Sequence, residues 1–126
     1  SNGLVIQSDT SSSITGARVL TRADSGGCFK VAKTSGYEIT LPTPAQGLNF
    51  KFLVLDTGAF NVTITNGSAH LKGAVSVNNT LTAMTGTTLT LVSAGSVGDW
   101  VEFHGIDATN YLVTGACIAA ADISIA

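Results

Sequence analysis

Two histidines, two cysteines and eight carboxylic acids are the groups on this chain that could do chemistry. A serine or cysteine nucleophile needs a histidine and an orienting carboxylate within hydrogen-bond reach. His70 and His104 both fall in stretches that alternate like strands, and neither has such partners at a telling spacing. They are expected as strand-face histidines, at a subunit contact or satisfied on the surface. A zinc site needs three or four converging ligands, and Cys28 and Cys117 lie far apart with no further ligand at usable spacing. Both read as buried free thiols. No D-x-D-x-D cluster of the calcium-loop kind occurs. Asp99 and Glu102 come nearest to a glycosidase pair, yet at a spacing of three along a strand they point to opposite faces. Asp99, just after Gly98, reads instead as a turn residue that accepts from nearby backbone N–H groups. Glu38 and Glu102 read as partners of neighbouring strands or subunits. The expectation is a chain with no enzymatic activity, no catalytic residue, no metal and no cofactor.

Binding is the other chemistry to weigh. Sugar recognition places an exposed Trp or Tyr beside amide side chains, and Trp100, Asn110 and Tyr111 are the cluster of that type. They form the candidate ligand or subunit-contact face, with Trp100 as a cap on the core the alternative. The other aromatics, Phe29, Phe50, Phe52, Phe60, Phe103 and Tyr37, alternate within strands and read mainly as core.

The elements that must position these groups are strands. Residues 98–103 and 107–115 read as two strands joined by a polar turn, with Trp100, Glu102 and His104 on one face and Val101 and Phe103 on the other. Residues 18–22 and 28–33 flank Asp24-Ser25-Gly26-Gly27, a hairpin-type turn, and Asn66-Gly67 carries a type I′ signal. Residues 49–56 are apolar on both faces, as in a central strand. Residues 78–79 read as a polar break, and residues 116–121 are the one stretch with any helical character, too short to stand alone. About nine strands with regular turn signals predict an all-β fold, an antiparallel β-sandwich or β-barrel. Residues 1–17 are expected to form an extended N-terminal arm, with Leu4, Val5 and Ile6 either ordering on a partner or forming an edge strand, and residues 18–126 a single β-domain. The apolar tail, residues 118–126, is expected to be buried, as an internal strand or against a neighbour.

Composition bears on partners. Charged residues make up 11% of the 126, against roughly 25% in ordinary soluble proteins, while mean hydropathy is +0.38. So little charge implies that much of the surface meets protein rather than water. Six scattered basic residues and a net charge of −2 predict no nucleic-acid partner. No apolar run reaches the ~20 residues of a membrane span, so no membrane partner is expected. The N-terminus lacks the charged-then-apolar layout of a secretion signal.

An ordered set of short marks runs from residue 37 to residue 115. It comprises Tyr37-x-Ile39-Thr40-Leu41-Pro42, Gly47-Leu48-Asn49-Phe50-x-Phe52, Phe60-x-Val62-Thr63-Ile64, Val97-Gly98-Asp99-Trp100-Val101-Glu102 and Thr109-Asn110-Tyr111-x-Val113-x-Gly115. In this set the chain resembles capsid decoration (cement) proteins of tailed phages, particularly marine and cyanobacterial ones. Similar segments occur in virion knob and tail-fibre proteins, where the implied role is binding of host surface glycans. The first resemblance implies a homotrimer synthesised in the host cytoplasm and seated on the outer surface of the capsid. There it would stabilise the shell of major capsid protein, with the arm at Leu4, Val5 and Ile6 reaching onto that partner.

Overall fold

The computed structural model describes residues 13–33, 35–55, 58, 60–92 and 96–126. Twelve strands follow in order: β1 (Ser13–Ile14), β2 (Arg18–Val19), β3 (Cys28–Val31), β4 (Tyr37–Thr40), β5 (Asn49–Val54), β6 (Val62–Thr65), β7 (His70–Val77), β8 (Thr80–Ala83), β9 (Thr88–Leu91), β10 (Trp100–Gly105), β11 (Asn110–Cys117) and β12 (Ile123–Ile125). A single 3₁₀ turn, Arg22–Asp24, is the helical element among the described residues. The strands form a seven-stranded sheet, β1-β3-β5-β10-β11-β7-β8, and a five-stranded sheet, β12-β9-β6-β4-β2. The two sheets pack as a sandwich.

Strand pairing is mixed rather than antiparallel throughout. From β1 to β6 the chain alternates between the sheets, placing odd strands in the larger and even strands in the smaller. Each strand therefore returns beside its predecessor but one in the same direction, and β1–β3, β3–β5, β2–β4 and β4–β6 are all parallel. Asp24-Ser25-Gly26-Gly27 is thus no hairpin. Residues 22–24 form the 3₁₀ turn, closed by a capping box between Thr21 and Asp24, and Gly26 at φ 88° sends the chain across to the other sheet. Asn66-Gly67 is likewise a crossover. Asn66 spends its side chain on the Leu41 carbonyl and the Ala69 N–H instead of adopting positive φ. The left-handed pair is Asn78 and Asn79, at φ 50° and 62°, which joins β7 to β8 in the hairpin that the polar break conceals.

Alternation fixes the core. In β5 the pattern Asn49–Val54 buries Phe50, Phe52 and Val54, and in β10 it buries Val101 and Phe103. Phe29 stacks on Phe52 at 5.6 Å between centroids, Phe52 meets Phe103 edge-on at 5.7 Å, and Phe103 meets Tyr111 edge-on at 6.3 Å. Each ring buried contributes about 1.5–3 kcal/mol, and each well-oriented pair about 0.5–1.5 kcal/mol more. The inner face of β3-β5-β10-β11 therefore carries a continuous chain of aromatic contacts through the core. Two departures from expectation concern the ends of the chain. Ser13–Ile14, within the stretch read as arm, pairs with β3 and buries Ile14. The tail supplies an edge strand, β12, which buries Ile123 and leaves Ile118 exposed.

Candidate functional face

The outward face of the seven-stranded sheet gathers most of the chemistry that the sequence singled out. On β10 the same alternation that buries Val101 and Phe103 turns Trp100, Glu102 and His104 outward. Across the ladder Trp100 lies opposite Leu53 and Ala116, Glu102 opposite Lys51 and Thr114, and His104 opposite Asn49 and Leu112. Leu112 in turn lies opposite Lys72 on β7, and Lys30 on β3 opposite Leu53. The Lys51 ammonium rests over the Trp100 ring, 4.7 Å from its centroid, rather than on Glu102. Glu102 Oε1 instead stands 3.5 Å from His104 Nε2.

Trp100, Asn110 and Tyr111 do not form one cluster. In the β10–β11 hairpin Trp100 pairs with Ala116 and Gly105 with Tyr111, so the two aromatic residues sit at opposite ends. Tyr111 is fully buried and its hydroxyl donates to the Pro42 carbonyl at 2.6 Å, which removes it from any ligand face. Asn110 is spent on its own turn, its Nδ2 donating to both Asp107 carboxylate oxygens. The Thr109 N–H above all, and then those bonds, hold the Asp107 carboxyl below its ordinary range. Trp100 alone of the three faces outward. Leu4, Val5 and Ile6 lie outside the described residues.

Asp99 is a turn residue as read, and more deeply placed than a turn requires. It is buried, accepting from the Ser96 N–H at 3.0 Å and the Ile118 N–H at 2.9 Å. Asp122, also buried, accepts from the next amide, Ala119, at 3.0 Å. The two carboxyls hydrogen-bond to one another. Burial pushes Asp99 above the ordinary carboxyl range, aided by the charge on Asp122. Burial opposes ionisation of Asp122 too, but the bonds from Asp99 and the Ala119 amide outweigh it and hold Asp122 below that range. Together the two carboxyls tie the turn before β10, the end of β11 and the entry to β12. Sequence spacing gives no sign of this pair, because Asp99 and Asp122 are brought together by the sheet and not by a local motif.

The cysteines divide. Cys117 is buried, its thiol pushed up to about 12 by burial and by the charges of Asp99 and Asp122. Cys28 is exposed, contrary to the reading of two buried thiols, because the alternation that buries Phe29 turns it outward opposite Lys51. Among the described residues no three His, Cys, Asp or Glu side chains converge as metal ligands, and no helix is long and apolar enough to cross a membrane.

Among the described residues four strands end the two sheets: β1 and β8 in the larger, β12 and β2 in the smaller. Their sequences, Ser-Ile, Thr-Leu-Thr-Ala, Ile-Ser-Ile and Arg-Val, contain no proline and a single charge, Arg18. Arg18 is itself engaged, 3.4 Å from Asp24 and over the Phe29 ring. Leu81 on β8 is 76% exposed and Val19 on β2 is 70% exposed. No family model, curated protein or solved structure matches this chain.

Proposed function

We propose that this chain is a structural protein of a virus particle: a decoration (cement) protein of a tailed-phage head. It binds the outer surface of the shell of major capsid protein as a homotrimer and stabilises that shell. The observation that supports this reading most is the state of the edge strands. An open edge presents unpaired N–H and C=O groups, and proteins that live alone guard it with lysine, proline or a bulge. The edge strand β8, Thr80–Ala83, has none of these and adds Leu81 as an exposed apolar side chain. An edge so written is suited to being covered by another chain, either a second copy or the shell.

The mechanism is mechanical. The packed aromatic core fixes the two sheets on one another, so that edges on different sides can each hold a different neighbour. Several weak edge contacts made together gain through effective concentration, with no one contact having to be strong. The segment holding Leu4, Val5 and Ile6 would add a strand or an apolar plug on the shell protein. The test is molar mass by light scattering over a concentration series, followed by co-sedimentation with the emptied heads of the encoding phage. Trimers that bind heads support the reading, and a chain that is monomeric and leaves the heads bare would end it.

A further inference from the structure

The outward face of the seven-stranded sheet has a charge opposite in sign to that of the chain. Lys30, Lys51 and Lys72 all lie on it, against Glu102 as its acid among the described residues, while the chain as a whole carries −2. The other acids among the described residues sit elsewhere: Asp24 half-buried in the 3₁₀ turn, Glu38 on the five-stranded sheet, Asp107 at a hairpin tip, and Asp99 and Asp122 buried. Around the lysines are Trp100, its ring in contact with the Lys51 ammonium, and neutral hydrogen-bonding groups at Asn49 and Thr114.

We propose that this face, where Lys30, Lys51 and Lys72 surround Trp100 and Glu102, is a binding surface for an acidic polysaccharide. The inference does not rest on the assembly reading. Lys51 and Lys72 stand three strand intervals apart, roughly 15 Å at about 4.8 Å per strand, a span covered by a few sugar rings. Carboxylate or sulfate groups spaced along such a chain would meet the lysines, and the indole would lie against an apolar sugar face. Glu102, between Lys51 and His104, decides which polyanion fits. A DNA strand offers phosphates and no free sugar hydroxyl to donate to this carboxylate, whereas an acidic polysaccharide carries hydroxyls between its acidic groups that can donate to Glu102. Recognition by charge on an open face is weak per contact and sensitive to salt.

The chain contains one tryptophan, so its fluorescence reports on this face directly. The intact protein is titrated with alginate (carboxylated), heparin (sulfated), neutral dextran and a single-stranded DNA homopolymer. A change with alginate or heparin that salt reverses, with dextran silent, is expected, and the two acidic arms tell carboxylate from sulfate recognition. Lys30→Glu combined with Lys72→Glu should weaken binding about tenfold, with the melting temperature unaltered; neither residue lies opposite Trp100 in the ladder. Lys72→Gln, at an exposed position, serves as the second variant should the double change not fold. Silence with both acidic polysaccharides, an equal response to dextran, tighter binding of DNA, or full binding by the charge-reversed chain would each overturn the proposal.

Discussion

The Tyr111 hydroxyl donates to the Pro42 carbonyl at 2.6 Å, joining the inner face of the seven-stranded sheet to the segment that follows β4 in the other. Tyr37 makes the reciprocal link, its hydroxyl donating from β4 toward the Ile14 and Ala32 carbonyls beside β1 and β3. Two phenols thus bolt the sandwich from opposite sides, each donating to backbone oxygens across the layers. Tyr111→Phe keeps the ring and removes one bolt. It should cost about 1–2 kcal/mol, a fall of roughly 3–8 °C in Tm for a chain of this size. An unchanged Tm by calorimetry would show that the bond gives no net stability. Burial also pushes the Tyr111 phenol up to about 12. An absorbance titration should find it un-ionised at about pH 11 while folded and ionised there once the chain unfolds, where it titrates near 10.

The thiols should separate cleanly in reactivity. Cys28 is exposed and Cys117 is buried, with a thiol pushed up to about 12. The thiolate is the reacting species. A thiol reagent near neutral pH should therefore modify one cysteine per chain quickly, and the second only in denaturant. Mass spectrometry that located the fast label on Cys117 would contradict the placement of both residues.

The division of the strands into faces was legible in the sequence, and their division between sheets was not. Alternation alone turns Trp100, Glu102 and His104 one way and Val101 and Phe103 the other, and the structure keeps that assignment. Nothing in a period of two says which sheet a strand joins, so the parallel crossovers from β1 to β6 had no local signal. Turn chemistry misled for a related reason. Asn66 at a crossover and Asn78 in a true hairpin are the same residue type, and the difference is whether the side chain has backbone partners within reach. The supposed cluster of Trp100 and Tyr111 failed on register: a hairpin brings its strand ends together in pairs, and these two residues belong to different pairs.

The edge strand β8 offers a direct handle on association. Leu81, 76% exposed on β8, contributes nothing to the buried core. Leu81→Lys places a charge on an edge that carries none, the guard that isolated edges use. The variant should keep the native melting temperature to within about 0.5 kcal/mol of stability, as surface changes usually do. Under the assembly reading its self-association should drop sharply in light scattering. Unaltered association would remove β8 from the interface.

The Asp99–Asp122 pair makes stability depend on pH in two opposed ways. Asp99 has a folded pKa raised above its ordinary 3.8. Its contribution is fully present below that ordinary value and is lost as the pH rises through the raised one. Asp122 has a folded pKa lowered from 3.8, so its contribution is present above 3.8 and is lost as the pH falls through the lowered value. Asp122→Asn removes the neighbouring negative charge that helps hold Asp99 up. The decline of Tm on the alkaline side of 3.8 should therefore flatten in that variant relative to the native chain. Asp99→Ala should instead destabilise at every pH, by about 1–3 kcal/mol, because the Ser96 and Ile118 amides lose their carboxylate acceptor. Calorimetric scans of the three proteins from about pH 3 to pH 8 separate the effects, since titrating carboxyls bend the curve and a lost acceptor only lowers it. Parallel curves for the native chain and Asp122→Asn would mean that the two carboxyls titrate independently.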